Sequence, residues 1–269
     1  MNPRIYHILN RLRHAARSMA RGDRRSRGVL VYIGMHWGSS FEAIFRRYRL
    51  CYGFEANPDL YKDLARRYRR YPHVKLFNVA AADRDGEVEF NISSNLGLSS
   101  SIGHFSPEWD HVRSGRIRTE RTVRVPSINM LRFLDEEGIE FIDDYVSDIQ
   151  GMDLTVLRTL KPWIDAGRIG TIQCEVGRDD KPQIYHDLPP NNESSFNALL
   201  TDRYEMIAKG WGVLEDGVFN QVPDSWFEMD CKWRLRASPA SQPVVKETTG
   251  ASAAARPVVA TAAPAGRST

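Results

Sequence analysis

The chain has 269 residues, enough for one sizeable core, and its 42% apolar content is that of an ordinary soluble protein. No run approaches the roughly 18 apolar residues that would span a bilayer, and the net charge of +3 is unevenly placed: residues 1–27 hold eight arginines against one acid, Asp23. The remainder is slightly acidic, which excludes a basic nucleic-acid binder, and three scattered cysteines (Cys51, Cys174, Cys231) without a C-x-x-C pair predict buried thiols in a reducing, cytoplasmic setting.

In chain order, Ile5, Ile8, Leu9, Leu12, Ala16 and Met19 fall on one helical face ringed by Arg4, Arg11, Arg17 and Arg21. Residues 1–28 therefore read as a basic amphipathic helix. It either packs on the domain or makes peripheral contact with an anionic membrane surface. A domain spanning 29–236 follows. Val29-Leu-Val-Tyr-Ile-Gly-Met-His-Trp-Gly38 reads as a buried strand entering a glycine-bounded loop, 39–49 as a helix, and Leu50-Cys-Tyr-Gly-Phe-Glu55 as a second buried strand ending in a carboxylate. A helix is predicted to about Tyr71, opened by Asn57-Pro58-Asp59, then strands over 74–80 and 87–92 on either side of the Asp85-Gly86 turn signal. Residues 95–116 read as a long Gly/Ser-rich loop. A short strand over 122–125 leads to a helix capped by Ser127 and running through Glu136. Strand 144–149, helix 152–164, strand 169–176 and a helix over 192–200 continue the alternation. Apolar strands over 204–214 and 226–235 look like a closing hairpin. The expected class is α/β, with a mostly parallel sheet and an antiparallel C-terminal hairpin. Residues 237–269, rich in Ala and Pro and without an aromatic, predict a disordered tail.

The first strand, loop, helix and second strand form half of a nucleotide-binding βαβ unit, with an acid about 20 residues beyond the loop. Gly34 and Gly38 permit a tight turn, and Glu55, an acceptor-only carboxylate when ionised, can hold both hydroxyls of a ribose. The spacing is G-x-x-x-G with Met35, His36 and Trp37 between the glycines. That is a poor pyrophosphate cradle and suits S-adenosylmethionine better than a dinucleotide.

Three stretches carry a family resemblance: Tyr-Ile-Gly-Met-His-Trp-Gly38, Phe54-Glu-Ala-Asn-Pro58 and Ser147-Asp-Ile-Gln-Gly-Met-Asp153, with Ala82 to Gly86 and Ile172-Gln-Cys-Glu175 in the same order. Over about residues 29–180 the chain resembles the FkbM-type S-adenosylmethionine-dependent methyltransferases, whose motifs read D-[IV]-G-A-N-x-G, F-E-P-N-P and K-I-D-V-E-G-x-E. The resemblance implies a Rossmann-like class I methyltransferase fold and O-methyl transfer to a hydroxyl, with a sugar or glycoconjugate as acceptor. It places the cofactor against Gly34, Met35, His36, Gly38, Glu55, Ala56, Asn57 and Ala80. Ser99-Ser-Ser101 matches a serine-rich stretch of the family and is a candidate substrate contact or a flexible turn. The chain departs from the pattern at Tyr32, where the family has an acid, and at His36, Ser147, Gln150 and Asp153.

Asp148, at the carboxyl end of the fourth strand, is the candidate general base, with helix capping as its structural alternative. His104 and His111 in the long loop are alternative bases. Glu175 ends the fifth strand and is expected to face Asp148, so the two acids form a candidate site for a divalent cation. Trp109, Trp211 and Trp226 either stack on a sugar or fill the core. Two other function classes are a non-catalytic module of the same fold and a nicotinamide-dependent oxidoreductase. The second is disfavoured by the loop and the hairpin.

Overall fold

The computed structural model describes residues 27–211 and 216–237. The helix expected at the N-terminus falls, over residues 1–26, outside the described residues, as do the expected tail from 238 and the last residues of the strand expected over 204–214. Ten strands are described: β1 (Arg27–Ile33), β2 (Tyr48–Phe54), β3 (Val74–Phe77), β4 (Ala80–Ala82), β5 (Gly86–Ser93), β6 (Thr119–Asn129), β7 (Ile142–Ser147), β8 (Ile169–Gly177), β9 (Tyr204–Gly210) and β10 (Glu228–Leu235). The helices are α1 (Ser39–Ile44), α2 (Pro58–Tyr68), α3 (Asp110–Arg113), α4 (Met130–Glu136), α5 (Asp153–Thr159), α6 (Lys161–Asp165) and α7 (Glu193–Leu200).

Seven strands form the main sheet in the order β3-β2-β1-β7-β8-β10-β9. The first five are parallel, and β10 runs antiparallel to both of its neighbours. The architecture is the expected α/β class, and the closing pair is antiparallel as read. Its second strand inserts beside β8, so β9 forms the edge. The strands are near-continuous apolar runs because both faces are covered. Leu30, Val31, Ile33, Cys51, Tyr145, Ile172 and Cys174 are all fully buried.

Several boundaries moved for identifiable reasons. The expected helix over 39–49 stops at Ile44, continues as one 3₁₀ turn (Phe45–Arg47) and gives way to β2 at Tyr48. Tyr48 donates to the buried carboxylate of Asp144 at 2.5 Å, and Arg27 and Thr171 bond the same carboxylate. The strand expected over 74–80 breaks in two. Asn78 turns its amide onto the carbonyls of Glu55 (2.8 Å) and Ala56 (3.1 Å), and the chain leaves the main sheet there. It enters a three-stranded sheet, β4-β6-β5. The strand expected over 122–125 is much longer because it pairs on both sides in that sheet, and it carries Ser127 within it. Asn129, rather than Ser127, caps α4 by accepting from Arg132 N at 3.2 Å. The helix expected over 152–164 is two short ones, α6 beginning at Lys161-Pro162, where proline suits a first turn but not a helix interior.

Candidate active site

The strand order reverses between β1, which leads through β2 to β3, and β7, which leads to β8. In an open α/β sheet that reversal leaves a crevice beyond the carboxyl ends of the strands. A cavity of about 210 Å3 lies there. It is lined by the loop after β1 (Gly34, Met35, His36, Trp37), the end of β2 (Glu55, Ala56), the small sheet (Ala80, Ala81, Phe90) and the loop after β7 (Asp148, Ile149, Gln150).

The loop after β1 is laid across the end of β2. Gly34 N and Met35 N both donate to Phe54 O, at 3.0 and 3.2 Å, and His36 N donates to the Glu55 carboxylate at 2.6 Å. Gly34 sits at φ +79°, and a Cβ there would lie 1.9 Å from the Asp148 carbonyl oxygen, so the approach of the β1 and β7 loops requires glycine. These N–H groups are already bonded, which leaves no cradle for a pyrophosphate and disfavours a dinucleotide.

Glu55 is buried and accepts from His36 N on one oxygen and from Asn57 N (2.8 Å) on the other. Each oxygen keeps one lone pair for a ligand. Burial pushes its pKa up to about 7, against the pull of those two N–H groups. Asn57 itself caps α2, accepting from Asp59 N at 3.0 Å, and does not line the cavity. Gly38 is also set back from it. Gly38 adopts φ +70° and packs against Leu64 of α2.

Asp148 lies just beyond β7 in the cavity wall. It does not cap α5. Gln150, at φ 55°, donates its side-chain amide to Asp148 at 2.9 Å and also to Glu175. Asp148 and Glu175 therefore face one another as expected, joined by an amide. Burial raises both carboxyls, and the negative charge of Asp148 raises Glu175 further. Among the described residues no group of three or more His, Cys, Asp or Glu side chains is arranged to hold a metal ion, which gives the expected cation no support.

The other sequence candidates are dispersed. Ser100 lines the cavity, with its hydroxyl accepting from Ser93 N at 3.1 Å. Ser99 is bonded to Asn95, while the hydroxyl of Ser101 donates to Gln150 O at 2.7 Å. The structure brings neither histidine to this cavity. His104 is exposed and paired with Asp187 at 2.7 Å, and His111 lies in a separate cavity. Trp109 is buried, whereas Trp211 and Trp226 are exposed.

Four residues were given no role from the sequence. Asp153 is fully buried and accepts from the hydroxyl of Ser147 at 2.5 Å and from Ile149 N, which shapes the loop that carries Asp148. Tyr185 donates to Gln150 Oε1 and Ser99 O, both at 3.0 Å. Trp37 and Ser39 line the cavity with a buried indole N–H and hydroxyl that have no partner. The departure of Asp153 from the family pattern and the place of Trp37 between the loop glycines were the visible hints of these.

In fold the chain is similar to M. capricolum TrmK in complex with the cofactor product S-adenosyl-homocysteine, at 9% identity over 84% of this chain and 67% of that one, with a TM-score of 0.39. It is likewise similar to the N-methyltransferase NodS from Bradyrhizobium japonicum WM9, at 12% identity over 88% of this chain and 99% of that one, with a TM-score of 0.38. Likenesses this distant carry nothing about substrate. No curated protein sequence matches the chain. The methyltransferase FkbM domain matches residues 32–201, most of the described chain. The chain belongs to the FkbM methyltransferase-domain family, the S-adenosylmethionine-dependent methyltransferases whose motifs it carries.

Proposed function

We propose that this protein methylates a hydroxyl of a sugar or glycoconjugate. The observation that carries the methyl-transfer step is the meeting, in one cavity, of the buried carboxylate of Glu55, suited to a ribose, with the carboxylate of Asp148, at the strand-order reversal. The sugar class rests on the family resemblance.

The residues present fit S-adenosylmethionine. Glu55 would take the two ribose hydroxyls on its remaining lone pairs. Val79, Ala80, Ala81 and Phe90 form an apolar wall suited to a flat base. The unpartnered Trp37 N–H and Ser39 hydroxyl are polar groups that the amino-acid end would satisfy. The cofactor supplies a methyl group made electrophilic by its sulfonium. Asp148 would accept the proton of the acceptor's hydroxyl as that oxygen takes up the methyl group the cofactor would supply. Gln150 holds the carboxylate in place, and Tyr185 holds Gln150. A positioned base contributes roughly 10²–10⁴-fold.

Methyl-labelled S-adenosylmethionine, incubated with the protein and a panel of saccharides, tests the reading. The expected product carries one labelled methyl ether, identified by NMR. Transfer to nitrogen or carbon would refute it. Tight cofactor binding with no transfer to any acceptor would favour a binding module, the reading that Tyr32 in place of the family's acid suggests.

A further inference from the structure

A second cavity, of about 220 Å3, lies on the other side of the Asp148–Gln150–Glu175 bridge. Its walls include Trp109, Trp211, Trp226, Glu175, Glu228 and Asp230. Glu175 and Asp230 are direct partners across β8 and β10, which places their backbones side by side at this end of the sheet. Among the described residues no lysine or arginine lines it.

Two features besides the acids point to a ligand. Trp109 is 6% exposed, and its indole N–H, buried in the cavity's wall, has no hydrogen-bond partner. A donor so placed calls for an oxygen. Trp211 and Trp226 are 54% and 47% exposed, with ring centroids 6.4 Å apart and planes inclined at 57°. This open corner of two indoles offers faces to a ring or a cation.

We propose that this cavity is the acceptor subsite, and that the acceptor is a sugar ring bearing a free ammonium group. The proposal rests on the hydroxyl-methylation reading and adds the acceptor's charge and seat. An ammonium has three donors and no acceptor, the complement of carboxylates, which only accept once ionised, and its charge favours that ionised form. The ring packs against Trp211 and Trp226, and a ring or hydroxyl oxygen accepts from Trp109. The amide of Gln150 bonds both Glu175, which lines this cavity, and Asp148, which lines the first, so one side chain separates the sugar's seat from the base. Burial and the charge of Asp148 hold Glu175 well above the usual carboxylate range and Glu228 up to about 8. A cation relieves that repulsion, whereas a uronate or phosphosugar adds to it.

Calorimetry on the full chain saturated with S-adenosyl-homocysteine tests this, with glucosamine, N-acetylglucosamine, glucose and glucuronate as probes. Glucosamine should bind about tenfold or more tighter than the two neutral sugars, with glucuronate weakest. Trp211→Ala, on an exposed residue, and the isosteric Glu228→Gln should each weaken glucosamine by about tenfold while leaving S-adenosyl-homocysteine affinity unchanged. Equal binding of glucosamine and glucose, preferred binding of glucuronate, or a Trp211→Ala variant that binds as the parent does would each overturn the proposal. Failure to bind S-adenosyl-homocysteine would instead strike the cofactor assignment, and N-methylated product would strike the hydroxyl reading.

Discussion

Replacing Glu55 with Gln isolates the cofactor claim. The carboxylate bonds His36 N at 2.6 Å through one oxygen and Asn57 N at 2.8 Å through the other, with one lone pair left on each. Glutamine keeps one such oxygen and turns an NH₂ group toward the other N–H. One ribose bond is lost, and a bond to a charged acceptor contributes about 1.5–3 kcal/mol. The dissociation constant for S-adenosyl-homocysteine should rise roughly 10- to 150-fold. Glu55→Ala loses both bonds and should rise beyond the upper end of that range. A pH arm sharpens the test. Because burial holds Glu55 at about 7, the parent must ionise it to bind ribose hydroxyls well, so affinity should increase by up to about tenfold per unit as pH rises toward 7 and then level. In Glu55→Gln that component should vanish. Calorimetry between pH 5.5 and 8, with circular dichroism as the check on folding, reads all of this. A folded Glu55→Gln variant with parental affinity would sink the argument.

Asp148→Asn keeps an acceptor for Gln150 but cannot take a proton, so kcat should fall by about 10²-fold or more while S-adenosyl-homocysteine affinity stays near parental. Full activity on an identified acceptor would remove Asp148 as the base. Gly34→Ala forces a Cβ onto the Asp148 carbonyl at a left-handed φ and should destabilise by about 3 kcal/mol or more, read as a lowered urea midpoint; an unchanged midpoint would mean the two loops separate at little expense. Glu55 and Asp153, both raised to about 7, and Glu228, raised to about 8, bind protons more tightly folded than unfolded. Their stabilising contribution is therefore full at low pH and lost as pH rises through the folded values. The ligand-free protein should lose stability between about pH 4 and 8, on the order of 3–5 kcal/mol per group at most. Urea denaturation that showed rising stability across that window would contradict these shifts.

The half of the site built from contiguous sequence was legible. The glycine loop, Glu55 and Asp148 each sit at the end of a strand whose apolar run is visible, and strand ends in a parallel sheet converge on one rim. What sequence could not show came from distant chain segments. Tyr185 reaches Gln150 from a stretch without regular structure, and its place is set by Gly151, where a Cβ would meet its ring at 2.8 Å. His104 was a plausible base by residue type, yet Asp187, far along the chain, holds it outside the cavity. The break at Asn78 was hidden because Val79 and the alanines beyond it continue an apolar run. Only the carbonyls that the Asn78 amide meets reveal that the strand ends.

That departure at Asn78 has a mechanical side. The cavity at the strand-order reversal is walled partly by the end of β2 in the main sheet, through Glu55, and partly by the small one, through Ala80 and Phe90. A molecule lying between them is a staple joining two separately hydrogen-bonded layers. Its adenosine end would stiffen the small sheet against the large one, and amides of β5 and β6 that never touch the ligand should then exchange with solvent more slowly when it is bound.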